Sequence, residues 1–93
     1  MAAYQTSTTT SVSTATNIIT SGNERDVYEI FSGTTKIWVN VIAGGTATVA
    51  GANCIPVPAA SWVEISLTGT GNISAIVDTG GAATNVTASL VQA

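Results

Sequence analysis

The stretch Arg25–Ile42, RDVYEIFSGTTKIWVNVI, alternates along its length in a way that suits strands and no other element. Successive side chains of a strand point to opposite faces, so Tyr28 and Ile30 share one side, as do Ile37, Val39 and Val41. The spacing predicts two strands joined by Ser32-Gly33-Thr34-Thr35. Their opposite faces are also partly apolar: Val27 and Phe31 flank Glu29, and Trp38 and Ile42 flank Asn40. A half-solvated strand is mostly polar on its outer side. Two-sided apolar strands therefore predict a sheet covered twice, and in a chain of 93 residues the second cover is expected from another chain. A second sheet of the same chain is the rival cover.

The rest of the chain repeats this pattern of short strands and turns. Nine of the eleven residues from Thr6 to Thr16 are Ser or Thr, and Val12, Ile18 and Ile19 supply apolar anchors. Ser11–Thr20 reads as a first strand preceded by a flexible arm, residues 1–10, with residues 11–93 forming one domain. Thr46–Ala50 reads as a short strand. Pro56 and Pro58 bar Cys54–Ala60 from the middle of a sheet, leaving it a loop or an edge. In Trp62–Leu67, Val63, Ile65 and Leu67 face one way and Trp62, Glu64 and Ser66 the other. Ile73, Ala75 and Val77 align in Asn72–Asp78, and Val86, Ala88 and Leu90 align in the last strand. Glycines 22, 33 and 44 fall eleven residues apart, the punctuation of a β-sandwich or barrel. No stretch carries a helical period.

Charge narrows the function classes. Charged residues are 8% of the chain, against about 25% in ordinary soluble domains, while hydrophobic residues are 45%. The apolar content argues for a folded core, and the thin charge suits a surface occupied by neighbours. With two basic residues and a net charge of −3, nucleic-acid binding is not expected, because no Lys/Arg stripe exists to neutralise phosphates. No basic amphipathic helix or long apolar run points to a membrane. The N-terminus lacks the pattern of a secretory signal, so synthesis in a cytoplasm is expected.

Candidate chemistry is sparse. The chain has no histidine, so neither the commonest general base nor a Ser–His or Cys–His nucleophile pair is available. Glu24, Asp26 and Glu29 are the one carboxylate cluster, interrupted by Arg25, and read as a solvated approach to a strand rather than a glycosidase pair or a calcium site. Cys54 is the single cysteine, read as a buried, reduced thiol. No catalytic residue, cofactor or metal site is expected. Trp38 and Trp62 carry three readings: an anchor in a protein interface, packing inside the subunit, or a stacking platform for sugars.

Short motifs run across residues 8–91: the Thr/Ser/Val-rich segment Thr8–Ile19, the turn Asn23-Glu24-Arg25, the strands Val27–Ser32 and Lys36–Val41, and the segment Gly45–Pro58. Trp62–Leu67, Gly71–Ile76 and the terminal Asn85–Leu90 follow. Together they resemble a small domain common among structural proteins of tailed bacteriophages. Pro56-Val57-Pro58-Ala59 departs from the Pro-Gly usual at that loop. The resemblance implies an all-β, jelly-roll-like sandwich of seven or eight short antiparallel strands. It implies a virion protein, made in the host cytoplasm, that decorates the capsid or forms a head fibre by binding the major capsid protein or other virion subunits. A tail-associated or fibre domain is the alternative, and a carbohydrate-binding module a more distant one. A homo-oligomer, a trimer on a capsid three-fold axis, is expected. The expected subunit contact comprises Val27, Phe31, Trp38, Ile42 and Trp62.

Overall fold

Alternation assigns each strand an inner face, and the inner faces decide how the strands are layered. The structure, a computed structural model, describes residues 7–93. It contains β1 (Ser7–Val12), β2 (Thr16–Gly22), β3 (Val27–Phe31), β4 (Ile37–Asn40), β5 (Cys54–Val57), β6 (Trp62–Ser66), β7 (Gly71–Val77) and β8 (Thr84–Gln92). They form two four-stranded sheets, ordered β1-β8-β3-β6 and β2-β7-β4-β5. The pairs β1–β8, β2–β7, β3–β6 and β4–β5 are nested and antiparallel. The chain thus resembles one long hairpin with its tip between β4 and β5. Additional pairing of β3 with β8 and of β4 with β7 rolls that hairpin into two layers. This order is that of an eight-stranded jelly roll, so the all-β sandwich expected from the sequence is the fold.

Between the sheets lie Val12, Ile18, Ile19, Ile30, Ile37, Val39, Val57, Ile65, Leu67, Ile73, Ala75, Val77, Val86 and Ala88. Most are every second residue of a strand. Ile18 and Ile19 are adjacent yet both buried, and the register of β2 against β7 shifts on either side of Ile19. Such irregularity lets two neighbouring residues turn inward. Cys54–Val57 takes the edge position that Pro56 demands, since proline has no N–H for a second neighbour.

Several sequence expectations are corrected. The two strands predicted within Arg25–Ile42 form, but they do not pair with each other: β3 and β4 belong to different sheets. Ser32–Lys36 crosses the sandwich, so that Ile30 and the Ile37/Val39 pair meet one core from opposite layers. Ser7–Thr10, expected in a flexible arm, belong to β1 and pair with Thr10-to-Ser7 partners Val86–Ser89 of β8; residues 1–6 of that arm lie outside the described residues. Ser13–Ala15 divide the single strand predicted at Ser11–Thr20. Thr46–Ala50 is not a strand but part of a loop lying on the outer face of β4 and β7. Its Thr46 carbonyl accepts a hydrogen bond from Asn40 Nδ2 (3.3 Å), and the Ala47 N–H donates to Ser74 Oγ (3.0 Å). Asn40 and Ser74 are thereby buried on a face that should be wet. At this point the second cover is the chain's own loop.

The β3–β4 crossing is secured by a buried polar knot. Ser32 is fully buried. Its hydroxyl lies 2.6 Å from the Pro58 carbonyl, and the Ser61 N–H donates to it at 3.3 Å. Thr84 Oγ1 donates to the Ser32 carbonyl (3.0 Å) and accepts the Thr34 N–H (2.8 Å). The β3–β4 and β5–β6 connections and the start of β8 are joined there. Ser32→Ala removes the buried hydroxyl that partners the Pro58 carbonyl and Ser61 N–H in a part-buried site and is expected to cost about 1–2 kcal/mol. Urea denaturation measures this loss; an unchanged midpoint would mean that water reaches the knot.

Candidate interaction surface

The outer face of the β1-β8-β3-β6 sheet is built by the same alternation that buries Ile30, Ile65 and Ala88. Register places Trp62 opposite Phe31, Phe31 opposite Thr87, and Thr87 opposite Thr9. A second row runs Glu64, Glu29, Ser89, Ser7. Trp62 is 66% exposed and Phe31 39% exposed. Glu29, Phe31, Trp62, Thr87 and Ser89 line an open depression of about 430 Å³.

Each row has its own energetics. Directly opposed residues hold their Cβ atoms about 5 Å apart, so Phe31 and Trp62 form one apolar patch instead of two scattered residues. Thr9 and Thr87 share a hydrogen bond of 3.0 Å between hydroxyls, and Ser7 and Ser89 share a shorter one of 2.5 Å. These ladders extend the patch toward β1 with uncharged polar surface. Glu29 and Glu64 are like charges in direct opposition, an arrangement that disfavours the isolated sheet.

The five residues expected at a subunit contact do not share a surface. Val27, Phe31 and Trp62 lie on this outer face, Val27 half-buried and opposite Ser66. Trp38 lies on the other sheet, paired with Pro56 and Ile76. Its indole N–H donates to Asp78 Oδ1 at 2.9 Å, and Lys36 Nζ sits 4.9 Å from the ring centroid. Ile42 is in the loop after β4, bridged to Thr68, with its N–H donating to Asn40 Oδ1 at 2.9 Å. The two tryptophans thus have different fates: Trp38 is satisfied inside the subunit and Trp62 is presented to solvent. Glu29 and Glu64 were legible as neighbours of Phe31 and Trp62 along each strand. Their mutual opposition, and the approach of Thr87 and Ser89, required the strand pairing.

The other candidate groups are accounted for locally. Asp26, expected to be solvated, is buried, and its carboxylate accepts the Asn23 N–H at 3.2 Å. Cys54 is a free, half-buried thiol on β5 opposite Asn40, more accessible than the sequence suggested. Burial, and then the Asp26 carboxylate, push the Tyr28 phenol above its ordinary range. Among the described residues, no three His, Cys, Asp or Glu side chains lie together where a metal would be held.

Asp78 supplies a pH prediction. Its carboxyl is held below the ordinary aspartate range, chiefly by the Trp38 indole hydrogen bond; burial opposes this, and the Thr79 backbone and Lys36 assist it. A depressed folded value means that the stabilisation is present above the unfolded value, about pH 4, and is lost as pH falls through the lower folded value. In a Trp62→Phe background, Trp38 fluorescence is therefore expected to change only below about pH 4. Asp78→Asn is expected to remove that titration. A transition surviving Asp78→Asn would assign it to another group.

No family model, curated protein or solved structure matches the chain.

Proposed function

We propose that this chain is a non-catalytic structural protein of a tailed-bacteriophage virion, a capsid-associated decoration (cement) or head-fibre protein. It works by binding other virion subunits, the major capsid protein foremost. The observation that carries this reading is the exposed Phe31–Trp62 pair on the outer face of a jelly-roll sheet. Aromatic residues in such positions anchor protein contacts. The surrounding chain is poor in charge, which lowers the cost of covering its surface with neighbours. The jelly roll is an architecture used by capsid and lectin domains alike, so the fold supports the reading without assigning it. The sequence motifs over residues 8–91 supply the virion context. Localisation in the virion follows, after synthesis in the host cytoplasm, and a homo-oligomer, a trimer in the favoured case, is part of the proposal.

The test is quantitative protein composition of purified particles, followed by a subunit-resolved map. Many copies in fixed ratio to the major capsid protein are expected. A small number of copies at the tail would replace the capsid position with the tail-associated alternative, and absence from particles would overturn the reading. Sedimentation of the purified chain checks the oligomer: a monomer at micromolar concentration would remove it. A sugar-binding reading draws on one specific observation, the carboxylate and hydroxyls beside the aromatic pair; binding to glycans without binding to particles would favour it.

A further inference from the structure

The strands of the β1-β8-β3-β6 sheet carry carboxylates on their outer face and no Lys or Arg. Two carboxylates, Glu29 and Glu64, are held opposite each other by backbone register, next to an exposed aromatic pair in the same register. We infer that this face docks a protein surface that presents an arginine, with the guanidinium between Glu29 and Glu64 and its flat side against Phe31 or Trp62. The inference rests on the reading of the chain as a subunit-binding protein and names the chemistry of the partner.

Three observations select this occupant. A cation relieves the repulsion of opposed carboxylates, whereas a neutral sugar leaves both charges in place. Arginine is favoured over lysine because its planar group pairs with carboxylates through several N–H donors and also stacks on aromatic faces. Finally, the chain itself offers no good match. Its two basic residues are Arg25 and Lys36. Lys36 lies over Trp38 on the other sheet, close to Asp78, and Arg25 stands in a turn between Glu24 and Asp26. Two copies meeting through this face would bring four carboxylates together, the like-charge juxtaposition that rejects a partner. The occupant is therefore a different protein.

The two indole N–H signals of the protein in NMR provide the readout, with Trp38 as an internal reference. The probes are a capped Gly-Leu-Arg-Gly peptide, its Arg→Gln counterpart, and maltose. The arginine peptide is expected to move the Trp62 signal and leave that of Trp38 in place. Its apparent affinity is expected to fall about five-fold or more in the Glu29→Gln/Glu64→Gln double variant, the loss of a charge-assisted contact. It is also expected to fall as salt rises from about 50 to about 300 mM. The double variant removes a repulsion and is expected to denature at no lower urea concentration than the wild type. Equal shifts from both peptides, a shift from maltose alone, or no shift from any probe would overturn the arginine assignment. A second arm adds wild type and double variant to particles stripped of this protein. Particle binding by the wild type alone supports both the assignment and the virion reading. Equal binding of the two overturns the arginine contact while the virion reading stands. Arginine-specific peptide binding without any particle binding keeps the site and overturns the virion reading.

Discussion

Ile30→Ala is expected to remove about 3–4 kcal/mol of folding stability, among the largest losses available to a single truncation in this protein. Ile30 is fully buried in the middle of β3. Its neighbours across the ladder, Val63 on β6 and Ala88 on β8, are held by hydrogen-bonded strands on both sides. The backbone therefore has little freedom to close the space left by three lost carbons, and the cavity cost adds to the lost transfer energy. Total stabilities of small domains are about 5–15 kcal/mol, so this variant would sit near the limit of folding. Phe31→Ala, one residue further along the same strand, is expected to cost under about 1 kcal/mol, because Phe31 points to the opposite, solvent-facing side. Urea denaturation of the two variants side by side gives the comparison. Equal losses would show that the outer face is covered within the free protein, and the candidate docking surface would then be withdrawn.

Gly33→Ala is expected to cost about 2–4 kcal/mol, for two reasons that add. The backbone at Gly33 has φ +75°, a left-handed conformation in which a Cβ meets the following carbonyl. That Cβ would also stand 2.5 Å from the Asn85 carbonyl oxygen and crowd Thr84 Oγ1. Thr84 Oγ1 cannot withdraw without releasing the Ser32 carbonyl and the Thr34 N–H. The Asn85 carbonyl belongs to β8 and cannot move without disturbing that strand. Gly80, with φ +76° and open space around it, is the control. Gly80→Ala carries the conformational term alone, about 1 kcal/mol. If the two variants lose the same stability, the close packing of the β3–β4 crossing against β8 is refuted.

Part of this fold was legible in the sequence. Period-two alternation determined which residues of β3, β4, β6, β7 and β8 face inward: Ile30, Ile37, Val39, Ile65, Ile73, Ala75, Val77, Val86 and Ala88 are all buried. Pro56 and Pro58 excluded Cys54–Ala60 from the middle of a sheet, leaving a loop or an edge, and the edge is what forms. Both are local facts, set by the pleat of a strand and by a missing N–H, so neighbouring residues suffice to read them. Strand partnership is of another kind. Every strand offers the same backbone donors and acceptors, and nothing in RDVYEIFSGTTKIWVNVI distinguishes a hairpin from a crossing between layers. That choice is made by the whole chain, since only the nested pairing of β1 with β8 through β4 with β5 places all the inner faces around one core. The candidate surface inherits the same division. Alternation placed Glu29 beside Phe31 and Glu64 beside Trp62. Only the tertiary structure set Phe31 against Trp62 and Glu29 against Glu64, while sending Trp38 to the opposite layer, because contact between side chains distant in sequence exists only once the strands that carry them have found their register.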